Sequence, residues 1–187
     1  MHIAIEGLDG VGKTETAKKV AELLKFEFIE KPLHFFTDEE GIENYLKITE
    51  RINSCEDKVL RCHFYGMGNL IVSKMSQNKN VVTDRHLASN YYWNYTLEGK
   101  GYFEELVNNC GKPDYTFILY ATPDERRNRM KHRNPHDNDL NRDVFSDEPY
   151  EKINKFIEEY GMNAEIIDTS ELSLKEVVEK IVCKILG

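Results

Sequence analysis

Residues 7 to 14 read Gly7-Leu8-Asp9-Gly10-Val11-Gly12-Lys13-Thr14, directly after the short apolar segment Ile3-Ala4-Ile5. This octapeptide fits the pattern G-x-x-x-x-G-K-[ST] of a phosphate-binding loop at every fixed position. The glycines allow the backbone to curl so that successive N–H groups converge on phosphate oxygens, and the helix that follows presents its positive end to the same anion. The stretch therefore predicts a strand, a P-loop and a helix in that order.

The last two residues of the loop carry its chemistry. In a loop of this kind the lysine lies against the β- and γ-phosphates and the next hydroxyl binds Mg²⁺, so we expect Lys13 and Thr14 to take these roles. ATP and Mg²⁺ are thus the predicted ligands. The residues expected to contact the donor nucleotide belong to the loop and to the first turn of the helix: Gly7, Asp9, Gly10, Val11, Gly12, Lys13, Thr14 and Glu15.

Outward from the loop, short apolar segments alternate with longer amphipathic ones along the whole chain. The short segments predict strands, because they are β-branched or aromatic and bounded by turn residues: Ile3–Ile5, Phe26–Ile29, Val81–Thr83, Tyr115–Tyr120 and Ala164–Ile167. The longer ones predict helices: Thr14–Lys25, a segment within Glu40–Arg51, Cys55–Met75, Ala88–Leu97, Tyr102–Asn109, Asp124–His132, Tyr150–Tyr160 and Ser173–Leu186.

This alternation predicts an α/β fold of three layers, in which a five-stranded parallel sheet has helices on both faces and binds ligands at the carboxyl ends of its strands. With 187 residues, we expect a single P-loop domain over 1–187. The polar segment Asn134–Asp147 has no apolar period and is interpreted as a mobile loop. Together with the basic helix before it, this loop forms a predicted lid at about residues 126–147.

The charge balance limits the partners. The chain has 25 Lys and Arg against 33 Asp and Glu, a formal net charge of −8. An acidic protein has no global field for holding nucleic acid polymers or anionic membranes, so its phosphate ligand is expected to be a small nucleotide. No apolar run approaches the roughly 20 residues of a membrane span, and the first residues lack the features of a signal peptide. We therefore expect a cytoplasmic protein.

A second motif distinguishes among P-loop proteins. The Asn-Lys-x-Asp element of guanine-specific GTPases is missing, since Asn78-Lys79-Asn80-Val81 and Asn154-Lys155-Phe156-Ile157 lack the aspartate. Instead, Asp84 and Arg85 end a buried strand. An aspartate in that place can hold Mg²⁺ through water, and an arginine can bind an acceptor phosphate with its two-pronged guanidinium. This pair favours a small-molecule kinase.

With these motifs the chain resembles the thymidylate kinase family, which has a Gly-Leu-Asp-Gly-x-Gly-Lys-[Ser/Thr] loop and an Asp-Arg-[Tyr/His]-x-x-Ser motif in these places. The second motif is Asp84-Arg85-His86-Leu87-Ala88-Ser89 here. Asp139-Leu140-Asn141-Arg142-Asp143 is similar to the family's lid, and Ile167-Asp168-Thr169-Ser170 to the segment before its last helix. The resemblance implies transfer of the γ-phosphoryl group of ATP to a nucleoside monophosphate, with dTMP as the first choice, and a homodimer.

The resemblance also implies roles for single residues. Asp9 would contact the sugar 3′-hydroxyl of the acceptor and Arg85 its phosphate. Ser89 and Asn90 would lie along the acceptor pocket, or else on a solvated helix face. Phe64 or Tyr65 would either stack on the base or pack in the core. The implied cations for the transferring phosphoryl group are three arginines in and after the basic helix: Arg129, Arg133 and Arg142.

The chain departs from the family pattern in three places. The family's P-loop arginine is replaced by Gly10 or Val11. After the second strand, Glu30-Lys31-Pro32 stands where the family has Arg-Glu-Pro and where related deoxynucleoside kinases have a glutamate as general base. The arginine that reads thymine is matched by Gly68 or Asn69. With Glu30 and Asn69 as further candidate substrate residues, two alternatives stay open: a deoxynucleoside kinase and a nucleotide-binding regulator without turnover.

Overall fold

The computed structural model describes residues 1–30, 42–135, 140 and 145–187. This part of the chain has five strands and eight helices, and one or two helices follow each strand. The strands are β1 His2–Gly7, β2 Glu27–Glu30, β3 Val81–Asp84, β4 Tyr115–Tyr120 and β5 Ala164–Asp168. The helices are α1 Lys13–Leu24, α2 Ile42–Asn53, α3 Lys58–Ser76, α4 Leu87–Asn94, α5 Lys100–Cys110, α6 Pro123–Arg133, α7 Glu148–Tyr160 and α8 Leu174–Leu186.

All five strands are parallel and lie in the order β2-β3-β1-β4-β5. The strand order changes direction around β1, which has β3 on one side and β4 on the other. In open parallel sheets, ligands bind at such a point, beyond the carboxyl ends of the strands. The P-loop follows β1 directly, so the fold places it there. The predicted five-stranded parallel sheet is confirmed.

Helices cover both faces of the sheet, as predicted. Because side chains alternate along a strand, Ile3 and Ile5 of β1 face one side, where they pack with Val20 of α1 and Ile181 of α8. Ile118 of β4 faces the other side, in a second core cluster with residues of α3, α4, α5 and α7. Helices such as α1, α5 and α8 bury one apolar side, which is the usual source of helix stability in a protein of this size.

Element bounds differ from the sequence prediction where capping residues decide them. Helix α3 begins at Lys58 rather than Cys55, because the side chain of Asp57 accepts a hydrogen bond from the Leu60 N–H at 3.0 Å. Helix α4 ends at Asn94, three residues before the predicted Leu97. Among the described residues, no helix combines the length and the apolar composition needed to cross a bilayer.

Candidate active site

The P-loop connects β1 to α1 through glycines that other residues could not replace. Gly7 has φ 128° and Gly10 has φ 86°, in a region that side chains other than glycine rarely adopt. A Cβ atom on Gly10 would lie 2.7 Å from the carbonyl oxygen of Arg126, and one on Gly7 would collide with the carbonyl oxygen of Leu119. Gly12, at the start of α1, would meet no atom within 4 Å. The loop is thus packed on its β4 and α6 side and open at Gly12.

Lys13 lies across this loop rather than out in solvent. Its Nζ donates a hydrogen bond of 2.6 Å to the carbonyl oxygen of Leu8 and lies 3.7 Å from Oδ1 of Asp9. Burial lowers the pKa of Lys13 to about 8, and the charge of Arg85 adds to this effect while Asp9 opposes it. Of the remaining predicted donor residues, Val11 is buried and Glu15 is exposed in the first turn of α1.

Thr14 and Asp84 form the second part of the site. The Thr14 hydroxyl donates a short hydrogen bond to Oδ2 of Asp84, at the end of β3. Asp84 is 2% exposed, and its other oxygen, Oδ1, has no hydrogen-bond partner among the described residues. Across the described residues, no three His, Cys, Asp or Glu side chains form a cluster that could hold a metal ion. The Thr14 hydroxyl and the Asp84 carboxylate are therefore neighbouring oxygens that this edge offers to a cation.

Arg85 connects the P-loop to the neighbouring strand. One guanidinium nitrogen forms a short ion pair with Oδ1 of Asp9, and another donates to the Tyr92 hydroxyl at 3.2 Å. Burial works to raise the pKa of Asp9, but the charges of Arg85 and Lys13 outweigh it and hold that pKa well below its usual range. Arg85 has φ 76°, an uncommon conformation for a residue with a side chain, and strain of this kind is concentrated at functional sites.

Three predicted acceptor residues lie inside the protein. Asn69, Ser89 and Asn90 are 4%, 7% and 3% exposed, so the solvated-face alternative for Ser89 and Asn90 is wrong. The Asn90 amide donates to Oδ1 of Asn69 at 3.2 Å and to the carbonyl oxygen of Cys62 at 3.1 Å. The Ser89 hydroxyl donates to Glu6. The Asn90 contacts position α4 against α3, and the Ser89 contact positions it against β1. Contact of these residues with an acceptor stays a prediction.

The other predicted acceptor residues lie on α3 and at the end of β2. Phe64 and Tyr65 on α3 are both half-buried, with ring centroids 5.1 Å apart, and the Tyr65 hydroxyl donates to Oδ1 of Asn53 at 2.7 Å. Burial raises the pKa of Tyr65, while the positive charge of Arg85 acts in the opposite direction. Glu30 is the last residue of β2 and lies opposite Asp84 in the strand register. The next two residues of the sequence, Lys31 and Pro32, lie outside the described residues.

The predicted lid arginines have different surroundings. The Arg129 guanidinium donates to the carbonyl oxygen of Thr169 at 2.6 Å and pairs with Glu125 at 2.8 Å. Arg133 is exposed at the end of α6, and Arg142 lies outside the described residues together with most of the predicted lid loop. Arg126, one helical turn before the predicted set, is fully buried, and its Nε donates to the carbonyl oxygen of Asp9 at 3.0 Å.

Comparison with known proteins agrees with this geometry. The family model described as thymidylate kinase matches residues 5–181, which is nearly the whole chain. The chain belongs to the thymidylate kinase family. As a member of this family it is an ATP-dependent phosphotransferase that acts on small nucleotide substrates, which favours the enzyme over the regulator alternative.

Curated relatives in the thymidylate kinase family come from methanogenic archaea. The chain is 32% identical over 171 aligned positions to a probable thymidylate kinase of Methanococcus vannielii, covering 88% of this chain and 78% of that protein. It is 28% identical over 201 aligned positions to a probable thymidylate kinase of Methanococcus maripaludis strain C7, covering 98% and 94% of the two chains. The similarity therefore extends through the P-loop, the Asp84-Arg85 pair and α8.

Among solved structures, the fold is shared with deoxyadenosine kinase from M. mycoides. The structure of that enzyme with the products dCMP and dCDP gives a TM-score of 0.66 at 21% identity and covers 100% of this chain and 99% of the other. The structure with bound dATP gives a TM-score of 0.61 at 20% identity, with both chains covered completely. At this level of identity the likeness shows the P-loop kinase fold.

Within this thymidylate kinase family fold, sequence reasoning missed several contacts. Glu6 is fully buried beside Arg85, and a charged residue inside an apolar strand was the signal that could have revealed it. The sequence motif also left out Tyr92, since its contact with Arg85 depends on the turn before α4. Arg126 was passed over in favour of the later arginines, because helical periodicity alone does not show which arginine of a basic helix faces the loop.

Proposed function

We propose that the chain transfers the γ-phosphoryl group of ATP to dTMP and so produces dTDP. The observation that carries this proposal is the position of Arg85, whose guanidinium lies against Asp9 of the P-loop at the carboxyl edge of the sheet. A cation held in this way binds a second phosphate beside the donor. Membership in the thymidylate kinase family and the similarity to probable thymidylate kinases support dTMP as the acceptor.

On the donor side, the P-loop amides and Lys13 bind the ATP phosphates. Lys13 is already desolvated, so its charge acts on the phosphates in a medium of low dielectric, where it stabilises developing negative charge more than in water. We assign the contacts with the lid side of the transferring group to Arg129, Arg133 and Arg142. The hydrogen bond of Arg129 to the carbonyl oxygen of Thr169 fixes its guanidinium. The guanidinium of Arg129 also donates at 3.5 Å to the carbonyl oxygen of Val11, which places it near the P-loop.

The same edge fits a magnesium ion. Mg²⁺ prefers oxygen ligands and usually keeps several waters, binding through one or two carboxylates and the substrate phosphates. The Thr14 hydroxyl and the unpartnered Oδ1 of the buried Asp84 provide such oxygens. When bound, Mg²⁺ neutralises charge on the β- and γ-phosphates. Thr14 and Asp84 are the residues that would hold it.

On the acceptor side, the chemistry needs positioning more than a base. The phosphate of dTMP is already an anion near neutral pH, since its second pKa is about 6. Arg85 binds this phosphate through its planar fork, and Asp9 accepts a hydrogen bond from the sugar 3′-hydroxyl. Phe64 and Tyr65 flank the base, with Asn69 and Asn90 behind them. We also propose a cytoplasmic location and a homodimer, both on the family resemblance.

One observation favours a second candidate, a deoxynucleoside kinase. Glu30 lies at the carboxyl end of β2, directly opposite Asp84 in the register. A carboxylate at this edge is in a place where it would take the proton from a nucleoside 5′-hydroxyl. A hydroxyl acceptor needs such a base, whereas a phosphate acceptor does not.

The substitution Glu30→Gln distinguishes the two candidates. If dTMP is the acceptor, we expect kcat to stay within about tenfold of the wild type, because no general base is lost. If a nucleoside is the acceptor, losing the base lowers kcat by about 10²- to 10⁴-fold. The measurement is ADP release with ATP and a panel of nucleosides and nucleoside monophosphates.

The matched control for this experiment is Glu27→Gln. Glu27 lies on the same strand but at its other end, where it pairs with Lys79 at 2.8 Å. This variant should behave like the wild type with every acceptor. Phosphorylation of thymidine but not of dTMP, together with a kcat loss above a hundredfold in Glu30→Gln, contradicts the dTMP proposal and selects the deoxynucleoside kinase.

A further inference from the structure

Glu6 is a carboxylate in a place where a strand of this type normally carries an apolar residue. It lies near the end of β1, between Ile5 and Gly7, and is fully buried. Glutamate is almost never completely buried unless it has partners that compensate for the loss of water. Because side chains alternate along a strand, the Glu6 side chain points to the opposite face from Ile3 and Ile5, which is the side of the sheet on which α4 packs.

Four donors surround this carboxylate, and all of them belong to the turn that follows Arg85. Oε1 accepts the backbone N–H groups of His86 at 2.8 Å, Ala88 at 3.0 Å and Ser89 at 3.3 Å. Oε2 accepts the Ser89 hydroxyl. Burial raises the pKa of Glu6, while its hydrogen bonds with Ser89 and His86 lower it. An ionised carboxylate fits this set, because it only accepts hydrogen bonds.

The position of Glu6 also explains how α4 begins. His86, the residue before the helix, makes no side-chain hydrogen bond to the helix end. The first N–H groups of a helix have no partner within it, and here Glu6 provides one from β1. Its negative charge also interacts favourably with the positive end of the helix.

The same contacts hold the backbone of Arg85. The N–H of Arg85 donates to the carbonyl oxygen of Ile5 at 2.9 Å, and the next N–H, that of His86, donates to Glu6. Arg85 is thereby fixed on both sides in its conformation with φ 76°. A strained conformation persists only where its surroundings determine it, and these two bonds do so.

We propose that Glu6 is a positioning residue for the acceptor phosphate, acting through Arg85. Without the carboxylate, the peptide between Arg85 and His86 would turn toward an ordinary conformation and the guanidinium would leave its place beside Asp9. The inference rests on the proposed function in one respect, that Arg85 binds the acceptor phosphate.

The test is the variant Glu6→Gln, which keeps the shape of the side chain and removes its charge. With dTMP as the acceptor, we expect its KM to rise by about tenfold or more, because charge-assisted hydrogen bonds become neutral ones and the Arg85 turn loosens. The KM for ATP should stay within about threefold, because the four donors to the Glu6 side chain all lie in the turn after Arg85 and not in the P-loop. A role in stability alone would change neither KM.

Two further variants make the test specific. In an Arg85→Lys background, which lacks the guanidinium fork, Glu6→Gln should add less than about twofold to the KM for dTMP, because both changes affect the same contact. Ile181→Ala is the control for stability: Ile181 is fully buried on α8, in the core cluster on the other face of the sheet. This variant should lower the melting temperature and leave both KM values unchanged.

Hydrogen exchange supplies a readout that does not depend on the acceptor. Amides in the peptide from Arg85 to Asn90 should exchange faster in Glu6→Gln than in the wild type, relative to peptides from β4, whereas Ile181→Ala should not show this local change. If the wild type does not phosphorylate dTMP, the proposed acceptor is wrong, and the exchange comparison still decides whether Glu6 holds the Arg85 turn.

Four kinetic results would overturn the inference. Equal increases in the KM values for ATP and dTMP would assign Glu6 a general structural role. Penalties that multiply in the double variant would show that Glu6 acts independently of Arg85. If Arg85→Lys raises the KM for dTMP and Glu6→Gln does not, the inference fails and the proposed function stands. An unchanged KM for dTMP in Arg85→Lys contradicts both the inference and the proposed function.

Discussion

Lys13 holds its charge almost out of water, between the Leu8 carbonyl oxygen and Asp9. Replacing it by alanine removes a preorganised cation from the ATP phosphates, and we expect turnover to fall by roughly 10²-fold or more. The free energy of unfolding should change by less than about 1 kcal/mol, because the cost of burying the ammonium group offsets its hydrogen bond. ADP release and thermal unfolding measure the two quantities, with the exposed Lys19→Ala on the same helix as the control. Wild-type turnover in Lys13→Ala would contradict the P-loop assignment.

Arg85 offers a second test at the scale of one side chain. Arg85→Lys keeps the positive charge but cannot bind Asp9, Tyr92 and a phosphate through one planar fork. We expect the KM for dTMP to rise by about tenfold while the KM for ATP is unchanged, which steady-state kinetics with each substrate varied in turn will measure. An equal loss in both KM values would instead place Arg85 in the donor site.

At the scale of a helix, α8 depends on its capping box. The Ser173 hydroxyl accepts the Glu176 N–H at 3.3 Å, and the Glu176 carboxylate accepts the Ser173 N–H at 2.8 Å. Ser173→Ala removes one half of this arrangement and should cost about 1 kcal/mol, which corresponds to a melting temperature lower by about 2–4 °C. Both KM values should be unchanged, because α8 packs on the face of the sheet away from α4. Ser54→Ala, at the exposed end of α2, is the control. A loss of activity at temperatures where Ser173→Ala is folded would contradict the assignment of α8 to structure alone.

Helix α4 differs from α8, because its start depends on a distant strand. Ser173 and Glu176 lie three residues apart, so the sequence itself contains the N-terminal signal of α8. The N–H groups of α4 are satisfied by Glu6, about 80 residues earlier in the chain. The sequence prediction began α8 at Ser173, one residue before its start at Leu174, whereas the support for α4 became visible only in the fold.

For the whole molecule, the buried histidine pair predicts a loss of stability in acid. His2 and His86 meet with ring centroids 4.6 Å apart, and His2 contacts the Thr83 hydroxyl at 3.0 Å. Burial lowers the pKa of His2 well below 6.5, and the nearby His86 adds to this effect. Burial likewise lowers the pKa of His86 to about 4. Because the folded state prefers neutral histidine, its contribution is complete above pH 6.5 and is lost as the pH falls from there toward the folded pKa.

The measurement compares the unfolding free energy of the wild type and His2→Gln between pH 7 and pH 4. Each buried histidine contributes a slope of at most about 1.4 kcal/mol per pH unit, so the variant should show a shallower loss. The raised pKa of Glu6 gives a slope of opposite sign, and it is common to both proteins. Identical slopes in wild type and His2→Gln would show that His2 is not held neutral.

The sequence by itself determined the order and type of the elements. The periodicity of apolar residues is local, and so all five strands and eight helices appear within a few residues of their predicted bounds. The P-loop was also recognisable locally, because Gly7, Gly12, Lys13 and Thr14 occupy the fixed positions of one octapeptide. The Asp84-Arg85 pair was recognisable as a site because parallel strands place their carboxyl ends at one edge of the sheet.

Only the tertiary structure decided which side chains meet at that edge. The contacts of Arg85 with Asp9, of Thr14 with Asp84 and of Glu6 with the α4 turn join residues about 70 to 80 positions apart. Such contacts depend on strand order and register, which local periodicity does not contain. A shift of β3 by one residue would turn Asp84 to the other face of the sheet. The sequence therefore predicted which groups we propose for the chemistry, and the packing of β1 against β3 and α4 decided how they are held.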